Sequence, residues 1–165
     1  MITRDIFRAT FVLPLCAIFF LTACSDNPAS HDDDHEDHAD AHGAELIVGN
    51  SVVYRVLEGE VSCDTAPCGI STVVGEATEV QVRFIDDDGD EVHEEDLEEG
   101  FTMTFSVNPP GVAVVEPVGD WGLRVTGVIA GSSVMQIQLN HEGHPDFITP
   151  PLENDGAIVI EVGSE

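Results

Sequence analysis

Four histidines, His31, His35, His38 and His42, recur at spacings of 4, 3 and 4 residues in a run that also holds Asp32, Asp33, Asp34, Glu36, Asp37 and Asp40. On a helix that spacing would put all four imidazoles on one face. Neutral imidazole and carboxylate are the ligands that hold Zn²⁺, and they also serve Cu²⁺ and Ni²⁺. A tetrahedral site could be assembled from two or three of these histidines and one carboxylate, with the chain ordering as the metal binds. The other reading is a solvated acidic segment in which histidine is incidental. Ordering such a polar run costs about 1–2 kcal/mol per residue fixed, so the expected affinity is moderate. Imidazole must lose its proton to ligate, so binding should fail below about pH 6.

The other three histidines are His93, His141 and His144. His141-Glu-Gly-His144 follows an apolar alternating run, which places it at one end of the fold, where loops carry binding groups. His141, His144 and Asp146 make a plausible cluster of two histidines and one carboxylate, with His93 joining only if its own loop shares that end. Polar loop packing is the alternative. The His-Glu-x-x-His of a zinc protease is absent, and Gly143 and Pro145 interrupt any helix that could present one. Asp86-Asp-Asp-Gly-Asp90 invites a calcium reading. With Gly89 at the loop's sixth position, the first falls on Phe84, so the EF-hand pattern fails. A hairpin turn with glycine at positive φ is the expectation there. Trp121 is expected to pack at a strand entry. No nucleophile motif, phosphate loop or cofactor fingerprint occurs, so the chain reads as a non-enzyme.

The elements that must position these groups are short strands. Residues 25 to about 44 carry no large apolar side chain and read as a flexible tether. The domain is then expected over 45–165, opening with a strand at Ser51–Val56. Thr78–Ile85 alternates, with Val80, Val82 and Phe84 on one face. Phe101, Met103, Phe105 and Val107 alternate with Thr102, Thr104 and Ser106, the clearest strand of the chain. Asn108-Pro-Pro-Gly111 ends it. Further runs follow at 112–116, 123–128, 134–139 and 157–162. About seven strands at this spacing predict an all-β sandwich.

Charge narrows the partners. The 165 residues hold 32 acidic and 5 basic side chains, no lysine, and a net charge of −27. Such a surface repels nucleic acid and anionic headgroups and attracts cations. High-salt conditions would also tolerate it.

The first residues read as an export signal: Arg4 and Arg8, an apolar run from Ala9 to Phe20, then Leu21-Thr-Ala-Cys24. Leu-x-Ala-Cys resembles the lipobox of bacterial lipoproteins. That resemblance implies cleavage of residues 1–23, acylation of Cys24 and a lipid-held protein of the cell envelope, at the outer membrane or a periplasmic face. Without the signal's Asp5, Arg4 and Arg8, 31 acidic and 3 basic residues remain. In that oxidising compartment Cys63 and Cys68, around a Pro-containing turn, read as a disulfide.

Asn108-Pro-Pro-Gly-Val-Ala-Val-Val-Glu116, Leu123-Arg-Val-Thr-Gly-Val-Ile-Ala-Gly-Ser-Ser133 and Val134-Met-Gln-Ile-Gln-Leu139 together look like a bacterial Ig-like domain of the invasin/intimin kind. The likeness covers roughly residues 101–140 and implies an Ig-like sandwich. Function is less constrained, since these domains serve as scaffolds, spacers and adhesin modules. Two readings follow. In one, a lipid-anchored envelope protein binds zinc or another divalent ion through the tether and a loop site, buffering the metal or passing it to a transporter. In the other, the sandwich is a structural or adhesin-like surface module on an acidic spacer. Concentration of six of the seven histidines in two short stretches, 31–42 and 141–144, favours the first.

Overall fold

A computed structural model describes residues 40–64, 68–92, 97 and 100–164. The chain divides into two units, Met1–Asp34 and His35–Glu165, and every described residue belongs to the second. That unit is all-β, with eleven strands among the described residues: β1 Gly43–Val48, β2 Ser51–Leu57, β3 Glu60–Ser62, β4 Ile70–Val73, β5 Ala77–Ile85, β6 Phe101–Asn108, β7 Ala113–Pro117, β8 Gly122–Gly127, β9 Gly131–His141, β10 His144–Ile148 and β11 Ile158–Gly163.

One sheet runs β3-β2-β1-β5-β8-β7, antiparallel throughout. In the other, β9 pairs with β6 over Val134–His141, with β11 over Gly131–Met135 and with β10 over Gln138–His141. A strand has two edges, so β10 and β11 must lie end to end on the edge opposite β6. A parallel β4 completes that sheet beyond β11.

This pairing is the Ig-like arrangement. In chain order β1, β5, β6, β7, β8, β9 and β11 take the places of strands A to G, giving A-B-E-D in one sheet and C-F-G in the other. The remaining four strands are additions: the short β2–β3 pair beyond A, β4 beside G, and β10 between F and G. The sandwich expected from the alternation is therefore present with more strands than the seven anticipated, and not the same seven. Its first strand is β1, not Ser51–Val56, and Gly43 and Ala44, read as tether, lie inside it.

Alternation explains the core. Ala44 and Leu46, Val80, Val82 and Phe84, and Leu123 and Val125 face inward from the first sheet, against Met135, Ile137 and Leu139, and Ile158, Ile160 and Val162, from the second. Each fully buried aliphatic or aromatic side chain contributes about 1.5–3 kcal/mol of transfer free energy. Phe101, Met103, Phe105 and Val107 line the inward, half-buried face of β6, as their spacing requires. The buried Ser133 hydroxyl donates to the Pro109 carbonyl at 2.7 Å, so the turn after β6 is tied to β9.

The appended pair β2–β3 is fixed to the rest by polar bonds. The Asp64 carboxylate accepts from the Val52 N–H at 3.1 Å, and the Gly69 N–H donates to the Val53 carbonyl at 2.7 Å. Between them Cys63 and Cys68 form the expected disulfide, their Cα atoms 5.5 Å apart.

Candidate functional site: the histidine-bearing end of the sandwich

Three of the seven histidines are among the described residues, and the topology brings them to one end. Strand β5 finishes at Ile85 and β6 starts at Phe101. Phe84 lies edge-on to Phe147 of β10 with ring centroids 6.1 Å apart, which puts these strand ends at one level. Strand β9 ends at His141, opposite Phe101. Strand β1 begins at Gly43, opposite Ile85. This is the end at which Ig-like folds carry their B–C and F–G connections.

His42 sits immediately ahead of β1 and is held by its backbone on both sides. Its N–H donates to the Ile85 carbonyl at 2.8 Å, and its own carbonyl accepts from the Glu58 N–H at 3.2 Å. The exposed ring has Nε2 3.1 Å from Asp40 Oδ1. His42 therefore belongs to the sheet, although the sequence grouped it with the tether. His31, His35 and His38 lie outside the described residues, as do Cys24 and His93.

His141 and His144 face each other directly across the two-residue turn Glu142-Gly143. Both turn residues have positive φ, 47° and 89°, as a type I′ hairpin requires. Directly opposed residues share a face of the sheet with their Cβ atoms about 4.5–5.5 Å apart. On its other side His141 is opposite Phe101, and the two rings stack with centroids 4.2 Å apart and planes inclined by 14°. Gly100 backs this arrangement: a Cβ there would lie 2.9 Å from His141 Cδ2 and 3.0 Å from Nε2. His141 is half-buried and His144 exposed. A register shift between Pro145 and Phe147 makes Asp146 the bulged residue. Among the described residues no group of three or more His, Cys, Asp or Glu side chains is placed to hold a metal ion. The structure thus joins His141 to His144 but does not complete them with Asp146 or His42 as a three-ligand set.

The acidic turn behaves as a turn. Asp86 Oδ1 accepts from the Asp90 N–H at 2.8 Å, the Gly89 N–H donates to the Asp86 carbonyl at 3.1 Å, and Gly89 has φ of 83°. Gly89 lies against the Arg55 guanidinium, and its positive φ disfavours any side chain there.

All three arginines of the domain are spent on carboxylates. Arg55 and Arg83 converge on buried Glu45, at 2.9 and 3.5 Å, and Arg83 also lies 3.0 Å from Glu91. Arg124 bonds Glu79 at 2.9 Å, and that partner pushes its already high pKa further up. With no lysine in the chain, these pairs leave the exterior field acidic.

One feature of this region is not signalled by any motif. Trp121 packs at the entry to β8, edge-on to Phe84 with centroids 5.7 Å apart. It also lines an open cleft of about 660 Å³ with Gln81, Leu97, Phe101 and Asp120. Only the lone tryptophan flanked by Asp120 and Gly122 hints at the cleft in the sequence.

No protein-family model and no curated protein matches the chain. Among solved structures, domains 4 and 5 of the S-layer protein SbsC are similar at 12% identity and a TM-score of 0.39, over 66% of this chain and 61% of that one. The Lin-41 filamin domain is similar at 16% identity and a TM-score of 0.30, over 56% of this chain and 82% of that one. The Escherichia coli adhesin FdeC is similar at 15% identity and a TM-score of 0.32, over 73% of this chain and 41% of that one. The chain thus spans less than two thirds of the SbsC and FdeC structures. The strand pairing described above establishes the Ig-like fold independently of these likenesses.

Proposed function

We propose that this chain is an Ig-like surface module of the bacterial envelope, lipid-anchored through Cys24, that serves a structural or adhesive role and performs no catalysis. The observation that carries the reading is the arrangement of charge on the sandwich. Every arginine of the domain is consumed by a carboxylate within or beside the first sheet, and most other acidic side chains among the described residues are exposed. Such an exterior keeps a module hydrated and clear of anionic headgroups. It suits a domain held at a distance from the membrane by a polar N-terminal segment. The lipobox-like Leu21-Thr-Ala-Cys24 supplies the anchor, and the Cys63–Cys68 disulfide suits the oxidising side of that membrane.

The test is made on intact cells producing the full chain. The expected result is sedimentation with membranes and labelling by a membrane-impermeant reagent, with Cys24→Ser releasing the domain from the membrane fraction. Cell-to-surface adhesion should change with the amount of displayed protein. A chain found in the cytosol with Cys63 and Cys68 reduced would contradict the reading.

A further inference from the structure

We propose that the β9–β10 hairpin carries a labile binding site for a divalent transition-metal ion of the Zn²⁺ class, ligated by His141 and His144. This goes beyond the surface-module reading and stands independently of it.

Four observations converge. First, the two imidazoles are directly opposed across the tightest hairpin connection, so their Cβ atoms are fixed at about 4.5–5.5 Å on one face. At that separation the exposed His144 side chain can reach an ion held by His141. Second, the pair is held rigidly for surface residues. The turn is set by two positive-φ residues, and the Glu142 N–H reaches the Gly100 carbonyl at 3.4 Å, so the hairpin tip is tied back to β6.

Third, His141 is oriented before any ligand arrives. Stacking on Phe101 at 4.2 Å fixes the plane of its ring. Gly100 lies against the Cδ2–Nε2 edge of that ring, where a Cβ would begin 2.9 to 3.0 Å away. A pre-oriented ligand loses less entropy on binding than a free side chain. Fourth, imidazole nitrogens are borderline ligands suited to zinc, copper and nickel. The surrounding field is acidic, which raises the local concentration of cations.

Two protein ligands leave the other coordination positions to water. The site therefore differs from a closed structural zinc site, which has four protein ligands, and is expected to exchange its metal readily.

The experiment must separate this pair from the N-terminal histidines. We would use the full chain carrying His31→Ala, His35→Ala and His38→Ala, and titrate it with zinc chloride alone by calorimetry. The expected result is one saturable zinc per chain. His144→Ala should weaken it by at least the about 10–100-fold that even outer-shell changes cost at metal sites. His144 is exposed, so that variant should melt at the parent temperature without zinc. Added zinc should raise the melting temperature of the parent and not of the variant, since only the parent binds in its native state. His141→Gln, which removes the imidazole and keeps a polar side chain of similar reach, should behave as His144→Ala does. Absence of saturable uptake in the parent, or uptake unchanged by His144→Ala, overturns the proposal.

Discussion

The Tyr54 hydroxyl donates to the Gly156 carbonyl at 2.6 Å, joining β2, an addition to the first sheet, to the loop that precedes β11 in the second. The two residues are 102 positions apart, and the Tyr54 side chain is fully buried. Removing only the hydroxyl, as in Tyr54→Phe, leaves the Gly156 carbonyl short of a partner and should cost about 1–2 kcal/mol. Tyr54→Ala also empties the ring's place in the core and should cost about 3–5 kcal/mol. Chemical denaturation of the two variants checks the order.

Burial also pushes the Tyr54 phenol well above its ordinary range. In the unfolded chain the phenol ionises near its reference value of about 10, whereas in the folded chain it stays neutral. The unfolded state therefore binds fewer protons above that pH. This contribution to stability is complete below about pH 10 and declines as pH rises beyond it. Melting temperatures measured between pH 8 and 11 should fall for the parent chain and fall less steeply for Tyr54→Phe.

Glu45 carries two arginines on one buried carboxylate. Glu45→Gln would leave Arg55 without a counter-charge beside Arg83, which keeps only Glu91. Deleting one partner of a fully buried pair costs about 3–5 kcal/mol. Both guanidiniums are one third exposed, so water recovers part of that, and about 2–3 kcal/mol is expected. Arg124→Ala, at an exposed pair with Glu79, should cost no more than about 1 kcal/mol. Equal losses at the two sites in urea titrations would show that the Glu45 cluster contributes no special stability.

Gly127 closes the Val-Thr-Gly stretch of β8, and its Cα faces the Val73 carbonyl and the Val162 side chain of the other sheet. It also bridges to Val74. No Cβ fits there without a backbone shift, so Gly127→Ala should destabilise by about 1–3 kcal/mol or more. Gly111, with open space around its Cα, is the control, and Gly111→Ala should leave the midpoint nearly unchanged.

Much of this architecture was legible in the residues, for a physical reason. Strands β5, β6, β8 and β9 are long enough for inward and outward positions to alternate several times, and their apolar positions proved to be the core. Strand β1 escaped because Gly43-Ala-Glu-Leu-Ile-Val48 does not alternate visibly. Its inward residues begin with Ala44, and Glu45 is buried through its arginines and not through hydrophobicity. Strands β3 and β4 are three and four residues long, too short for a period to register. Strand β10 starts with His144-Pro145, and proline argues against a strand except at an edge or a bulge, which is where it lies. The facing of His141 and His144 was hidden by Glu142, a residue seldom found at the first position of a type I′ turn. Spacing alone also placed His42 in the tether, since nothing in the sequence marks a backbone hydrogen bond to Ile85.

The Cys63–Cys68 disulfide encloses a short loop, so its entropic contribution is about 2 kcal/mol. The loop is separately pinned to β2 through Asp64 and Gly69. The Cys63→Ser, Cys68→Ser chain is therefore expected to fold, with stability lower by about 2 kcal/mol or less. Loss of the folded state in that variant, read by near-ultraviolet dichroism, would contradict this.

Mass spectrometry of the full chain purified from its own membranes tests the account most directly. An N-terminal peptide that begins at Cys24 and carries lipid, alongside an intact Cys63–Cys68 bridge, is the predicted result. A chain that retains Met1, or that is cut elsewhere and bears no lipid, would contradict the anchored-module reading.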